Sequence, residues 1–474
     1  MSTETGVSAV FNATPMLSLC MIVKNEATLL RRCLVSVVQV VDEIVVIDTG
    51  STDSTAQVAR EYGAKVVLSD WRDDFSYSRN ISIEHATGKW ILWLDADDVV
   101  PESTLPILTE LKKQSTDRVY GFIVRNERPG GTGTEFIQAR MFPNREELRF
   151  ERSIHEQIMP SALRIGLQME QCTAVIEHHG YAEPAQLRKK AARNVRMLLV
   201  EYPRVAPDTV MAIEIADSYT LIEDDDAASE WYRKVLAFPG CIDTTPVLMA
   251  HAQFGLGNIA NRKQKFDEAI VHFRAAIELT PWRTDVLYSL AVAQEFAGQY
   301  AAAVQSLCTI WQIQPRAGMV GVDFRTAAIK SYLRCVRLLI ELERFEDAGK
   351  VVEDACTTVG HRPEIQSMAG KYFLKTGSLL DALHAFERSL KIRREGNFEA
   401  YIGLCLIYKK AGRREVVIET LQAIDRMFLG EKRYEIAKKK IMENEISENL
   451  INSKKGDETQ NTERNLLREF WGML

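Results

Sequence analysis

WILWLDADD, residues 90–98, is the stretch on which the fold turns. Five apolar residues in a row, ending in acid, read as a strand buried on both faces. The strand runs straight into Asp95, Ala96, Asp97 and Asp98. Asp95 and Asp97 are two apart, so in an extended segment both side chains face the same way. Two converging carboxylates suit a hard divalent cation, Mg²⁺ or Mn²⁺, whose shell is completed by substrate phosphate oxygens. The plainer alternative is that Asp97 and Asp98 cap the next helix. The pairing favours the metal for Asp95 and Asp97, whereas Asp98 fits either role.

Working outward, EIVVID at 43–48 is a second strand that ends in acid, at Asp48, and continues as TGSTD to Asp53. Gly50 permits a tight turn there, and Ser51 or Asp53 can cap the helix that follows. The same grammar covers the chain up to about residue 190. Strands are expected over 17–23, 43–48, 64–69 and 90–94, and helices over 27–38, 52–62 and 77–86. On the first helix Leu29, Leu30, Cys33, Leu34, Val37 and Val38 share one face, with Asn25 as its expected N-cap. Alternating strands and helices imply an α/β domain with a mostly parallel sheet covered on both sides. In such sheets ligands sit beyond the carboxyl ends of the strands, where Asp48 and Asp95 stand. No GxGxxG and no Walker A sequence follows a strand, which disfavours a dinucleotide or P-loop site.

Downstream of about residue 200 the pattern is helical and repeats. Gly257, Ala269, Phe273, Ala276 and Pro281 recur thirty-four residues later as Ala291, Ala303, Leu307, Ile310 and Pro315. Ala348 and Ala382 show the same spacing, with Phe386 in the aromatic place, and Ala216, Tyr219, Ala228 and Tyr232 form a looser copy. This is the tetratricopeptide period, in which small residues let paired helices approach and an aromatic fills the gap. Ala303 and Ala348 are forty-five apart, so one repeat carries an insertion. Five or six repeats are enough to bury a continuous core. The division expected is a disordered 1–14, an α/β domain over 15–195, repeats over 200–430, and a charged tail with a terminal helix over 431–474. In that tail SKKGDETQN is polar and the final LLREFWGML apolar.

Composition sets the outer bounds. The 474 residues are 46% hydrophobic and 26% charged, ordinary for a globular protein. A net charge of −6 argues against binding nucleic acid by phosphate neutralisation. No apolar run is long enough to span a bilayer, and the first fifteen residues lack a signal peptide's basic start and apolar core. Cys20, Cys33, Cys172, Cys241, Cys308, Cys335, Cys356 and Cys405 are scattered without a CxxC, which fits reduced thiols in a cytoplasmic protein.

Four segments taken together resemble a known family. MIVKNEATLL (21–30), VVIDTGSTDST (45–55), SYSRN (76–80) and WILWLDADD stand in the order and at the separations of the family 2 glycosyltransferases of GT-A fold. The resemblance covers roughly residues 15–195. It implies inverting transfer from a nucleotide-activated sugar, with Asp48 at the base, commonly uracil. It also implies Glu26 and Arg79 lining the nucleotide site, Asp95 at ribose and metal, and Asp97 as main metal ligand. FERSIHEQI (150–158), IEHHGY (176–181) and KAARNVRMLL (190–199) narrow the likeness to bacterial members fused to tetratricopeptide repeats, the sublancin-type peptide S-glycosyltransferases among them. Those relatives usually have glycine where this chain has Arg152.

Inverting transfer requires neutralisation of the leaving diphosphate, a base for the acceptor's proton, and in-line placement. Glu156 is the candidate base, weighed evenly against an ordinary surface salt bridge. His155 and His178 are candidate metal ligands or diphosphate contacts, since imidazole suits Mn²⁺. His179 points the other way in a strand, so one of the pair is expected to be functional, and the resemblance implies His178, which matches the histidine of the relatives. Arg79 is the phosphate-binding candidate for its bidentate geometry, and Arg140 a weaker one. Trp71, Asp73 and Asp74 suit a loop near the nucleotide, and the glycine-rich 128–136 either a lid or a hairpin turn. A long concave repeat face suits a peptide or protein acceptor, or else a homodimer or scaffold contact. The competing functions are transfer to a glycan or lipid, a sugar-nucleotide pyrophosphorylase, and a non-catalytic repeat scaffold. VKNE in place of a glycine-rich first loop disfavours the pyrophosphorylase, and intact Asp48, Asp95 and Asp97 disfavour the scaffold.

Overall fold

The computed structural model describes residues 16–126, 134–180, 184–205, 208–238, 246–314 and 324–451. The expectations for residues 1–14, for the tip of the glycine-rich loop and for LLREFWGML lie outside them.

The first half is built on one eight-stranded sheet. β1 (Leu17–Val23), β2 (Glu43–Asp48), β3 (Lys65–Leu68) and β4 (Trp90–Trp93) are the four strands read from the sequence, and they pair in parallel. β5 (Asp98–Val99), β6 (Arg118–Asn126), β7 (Glu135–Pro143) and β8 (Gln168–His178) extend it in the order β3-β2-β1-β4-β7-β6-β8-β5. β7 runs antiparallel to β4 and to β6, and β5 antiparallel to β8. The run of parallel neighbours therefore stops at β4, and the acidic segment lies where the sheet changes direction; further out β6 and β8 pair in parallel again.

Both faces are covered. Leu17, Leu19, Met21 and Val23 pack with Leu30, Cys33, Leu34 and Val37 of α1 (Ala27–Val37). The intervening Cys20 joins Val45, Ile47, Trp93 and Ile83 on the other side, the last from α3 (Phe75–Glu84). Each strand thus feeds two cores, which is why its sequence is apolar throughout rather than alternating.

Asn25 does not cap α1. Glu26 occupies the N-cap position without a side-chain cap bond, and Asn25 takes a left-handed φ of 56°. Its Oδ1 instead accepts from the Thr52 amide at 2.7 Å, tying the loop after β2 to the loop after β1. That neighbouring loop repays the helix: Thr55 Oγ1 accepts from the Glu26 amide at 2.8 Å. For α2 (Thr55–Glu61), Asp53 Oδ1 accepts from the Thr55 amide at 3.0 Å, while Ser54 occupies the cap position.

The helical part starts with α6 (Pro184–Val205), preceded by two short helices, α4 (Leu105–Leu111) and α5 (Met159–Arg164). Helix pairs follow: α7 (Thr209–Leu221) with α8 (Asp225–Leu236), and α9 (Pro246–Arg262) with α10 (Phe266–Leu279). Further pairs span Thr284–Phe296 with Tyr300–Ile310, Phe324–Glu341 with Phe345–Val359, Pro363–Thr376 with Leu379–Ile392, and Phe398–Lys410 with Arg414–Phe428. The small-against-aromatic reading has a direct counterpart. A Cβ on Gly257 would stand 2.5 Å from the Phe273 ring, and one on Gly403 2.3 Å from Phe386. By compactness the chain forms two units, one of residues 1–293 with 314–325, the other of 294–313 with 326–474.

Candidate active site

The acidic segment is organised by Asp98, the residue left open between ligand and cap. It caps nothing. Asp98 is fully buried, and its Oδ2 accepts from Arg140 Nη1 at 2.8 Å and from the Asp95 amide at 2.8 Å. Its Oδ1 lies 2.8 Å from His178 Nδ1, because β5 and β8 pair Asp98 with His178. A ring nitrogen held by a carboxylate leaves the other nitrogen, Nε2, to face outward as a ligand. Arg140 is therefore a buried support rather than a phosphate contact.

Ligand atoms of Asp95, Asp97, Asp98 and His178 lie within 4.8 Å of one another. Gly180 shows where two of them converge: a Cβ there would stand 2.5 Å from His178 Nε2 and 2.9 Å from Asp97 Oδ2. The charges agree. Burial pushes the Asp97 carboxyl up, opposed by His178 and reinforced by Asp95 and Asp98. Burial alone would lower His178, but the hydrogen bond to Asp98 and the charges of Asp97, Asp98 and Asp95 leave it raised. Three carboxylates crowd one imidazole, a donor set whose chemistry fits a small divalent cation.

Arg79, from α3, closes the other side of Asp95. It is 4% exposed; its Nη2 donates to Asp95 at 2.8 Å and its Nε to Glu156. Its guanidinium lies 4.1 Å from the Trp93 ring centre, and that of Arg140 lies 3.9 Å from the same ring. Although burial favours protonation, the two arginines hold the Asp95 carboxyl at about 2. Arg79 Nη1 is buried with no hydrogen-bond partner among the described residues.

Arg79, Trp93, Asp95, Asp97, Glu156 and His178 line one cavity of about 880 Å³, with Asp98 and Arg140 behind them. Of the expected site residues, Glu26, Arg79, Asp95, Asp97, His155, Glu156 and His178 all border it. Asp48 lies behind the wall, where the buried Thr49 borders the cavity instead; the Oδ1 of Asp48 accepts from the amides of Gly50 at 3.0 Å and Ser51 at 2.7 Å. His155 borders the cavity with a left-handed φ of 51° but is not part of the four-residue cluster. Burial lowers its pKa. Glu156 belongs to a loop closed by the Glu151–Gln157 bridge rather than to a strand end. His179 turns toward Glu177 at 3.6 Å. Trp71 borders the cavity as well, its Nε1 donating to Asp73 at 2.7 Å, while Asp74 caps α3 through the Tyr77 amide.

Several wall residues escaped the sequence reading. Lys190, Arg193 and Asn194 border the cavity from α6. Their i, i+3, i+4 spacing puts them on one helix face, a signal present in KAARN. Glu214 borders it from α7, and nothing in its local sequence points there.

Comparison with known proteins meets the same division. The profile of glycosyl transferase family 2 matches residues 18–169, and that of the tetratricopeptide repeat matches 250–281. A TPR repeat-containing protein of Synechococcus elongatus is 34% identical over 275 residues, covering 56% of this chain and 67% of that protein. The chain belongs to the family 2 glycosyltransferases fused to tetratricopeptide repeats. Within this family, the prophage-derived glycosyltransferase SunS of Bacillus subtilis is 26% identical over 233 residues, 47% of this chain. The chain spans about half of SunS, 53% of its length. An uncharacterized glycosyltransferase of Rickettsia conorii is 32% identical over 115 residues, 24% of this chain and 36% of that one. Among the described residues no helix is long and apolar enough to cross a membrane.

Proposed function

We propose that this glycosyltransferase moves a sugar, with inversion, from a nucleoside-diphosphate donor of the UDP type to a side chain of a peptide or protein. The observation that carries the reading is the single cavity in which Asp95, Asp97 and His178 converge beside the unpartnered Nη1 of Arg79. Carboxylates and imidazole fit Mn²⁺ or Mg²⁺. A cation bound there supplies positive charge to the leaving diphosphate. Arg79 Nη1 donates to a diphosphate oxygen, and Lys190 and Arg193 add positive charge from α6. Glu26 and Asp48 serve the nucleotide side, Glu26 at the wall and Asp48 by fixing the turn after β2. His155 contacts the diphosphate or the acceptor rather than the cation. Glu156 takes the acceptor's proton as the new bond to the anomeric carbon forms and the carbon–oxygen bond to the diphosphate breaks.

A polypeptide acceptor is supported by the repeats, which present extended faces of the kind that bind chains. The test is thermal: UDP with Mn²⁺ raises the melting temperature, since a ligand selective for the folded state stabilises it. No shift with any nucleoside diphosphate would favour a repeat scaffold with an idle transferase domain. Screening UDP-sugars against candidate peptides by intact mass then separates a polypeptide acceptor from a glycan or lipid one.

A further inference from the structure

We propose that Glu214, carried by α7 of the helical region, is an acceptor-side residue of the reaction site: it accepts a hydrogen bond from an N–H or O–H that the acceptor presents beside its reacting atom. The inference rests on the transferase reading above and names the chemistry of its second substrate.

The first observation is placement. Glu214 borders the same cavity as Arg79, Asp95, Asp97 and Glu156. The second is an unfilled polar pair. Glu214 Oε2 and Arg152 Nη1 stand 3.9 Å apart, each buried and each without a hydrogen-bond partner among the described residues. That gap is too long for a hydrogen bond, so each atom keeps an unused hydrogen-bonding position for an approaching polar group. The third is charge. Burial pushes the Glu214 carboxyl up to about 8, opposed by Arg152 and reinforced by the charges of Asp208, Asp217 and Glu201. The three carboxylates behind Glu214 disfavour a diphosphate beside it, so this part of the wall faces the uncharged or cationic substrate. The donor's phosphates belong instead with Arg79 and the acidic cluster's cation.

The wall is also held rigidly. Ile154, two residues before Glu156, is buried among Met197, Leu198, Met211, Ile215 and Trp231 of the first helices. Arg152 donates to Asp208 at 2.5 Å, and Ser153 Oγ to Glu201 at 2.5 Å. The loop bearing Glu156 and the helix bearing Glu214 are thereby one assembly. The acceptor segment suited to it offers a hydrogen-bond donor and carries no carboxylate next to the reacting atom.

Water can stand in for the acceptor. The experiment compares hydrolysis of UDP-glucose, UDP-galactose and UDP-N-acetylglucosamine with Mn²⁺ by the full-length wild type, Glu214→Gln, Glu214→Leu and Glu214→Ala. The expected result is a kcat at least tenfold lower for Leu and Ala, with donor KM and the UDP-induced melting shift within twofold of wild type. Gln, which keeps the carbonyl oxygen, retains kcat within threefold. Leu fills the volume that Ala vacates, so equal losses in two stably folded variants trace to the missing acceptor atom. An unchanged kcat in Leu and Ala overturns the inference alone, as does a parallel loss of UDP binding, which would move Glu214 to the donor side. A wild-type protein that hydrolyses none of the three donors and shows no shift with UDP overturns the sugar-transfer reading and this inference with it.

Discussion

Gly180→Ala is a one-methyl test of the acidic cluster. The added carbon would sit 2.5 Å from His178 Nε2 and 2.9 Å from Asp97 Oδ2, against an ordinary contact of at least 3.4 Å. The imidazole must therefore withdraw by about 0.9 Å and the carboxylate by about 0.5 Å if the backbone stays put. Ligand distances in a metal site are held to about 0.2 Å, so both groups leave the range in which they can share a cation. His178 has nowhere to withdraw without stretching its 2.8 Å contact to Asp98. Disturbing the support of a ligand lowers metal affinity roughly 10–100-fold, or about 1.4–2.7 kcal/mol. The φ of Gly180 lies outside the left-handed region, so alanine adds no backbone strain and the apo protein should melt within a few degrees of wild type. Mn²⁺ titration followed by electron paramagnetic resonance, with and without UDP, measures the loss directly. An unchanged Mn²⁺ affinity in a folded Gly180→Ala protein would refute the convergence of Asp97 and His178 on a cation.

Other outcomes follow from the same geometry. Asp97→Ala should abolish donor hydrolysis while far-ultraviolet circular dichroism stays native; hydrolysis persisting in that variant would place the metal elsewhere. Arg79→Ala leaves Asp95 and Glu156 facing each other in a buried site, a loss of about 3–5 kcal/mol for a broken buried pair, readable as a shifted urea midpoint. A midpoint like that of wild type would deny Arg79 its central place. Glu214 gives a pH signature. Burial raises its folded pKa to about 8 from the ordinary 4.5, so its ionisation costs folding stability that accumulates as pH rises between those values. Glu214→Gln should therefore melt several degrees above wild type at pH 8 and show little difference at pH 4.5, and a pH-independent difference would contradict the assignment. In the second unit Gly403→Ala drives a Cβ to 2.3 Å from Phe386 and should cost about 1–3 kcal/mol by overpacking. Phe386→Leu in the same chain should recover part of it, and strict additivity of the two losses would mean the residues do not pack as described.

The parallel half of the sheet was legible because each strand is apolar on both faces and ends in a recognisable acid or turn. The mixed half beyond β4 was not. β6, β7 and β8 mix charged and apolar residues, as in RVYGFIVRN and QMEQCTAVIEH, and Gly121 and the bulges within β6 break their alternation. The repeats were legible because close helix approach demands small residues at fixed spacing, and Gly257 and Gly403 against aromatic rings show that demand. At the site, Asp95, Asp97 and His178 could be read as ligand types in ligand patterns. Asp98 could not, since its role depends on being opposite His178 across two strands that are eighty residues apart in sequence. The Asn25 cap failed for a related reason: a side chain from another loop took over the helix end, and a local rule has no access to such a neighbour. Arg152 illustrates the converse. Its left-handed φ of 77° favours glycine, and the strain of about 1–3 kcal/mol is offset by its ion pair with Asp208, a partner invisible in FERSIHEQI.

Ile154 inserts into a core made by the helices, so a cut at residue 195 would amputate both the hydrophobic seat of that residue and the helix that carries Glu214. A shortened transferase would keep its donor pocket's acids yet expose an oily stump where the loop of Glu156 had been anchored. Exchange of modules between such proteins, by recombination or by engineering, should succeed at a junction well inside the repeats and fail at the one drawn from sequence motifs alone.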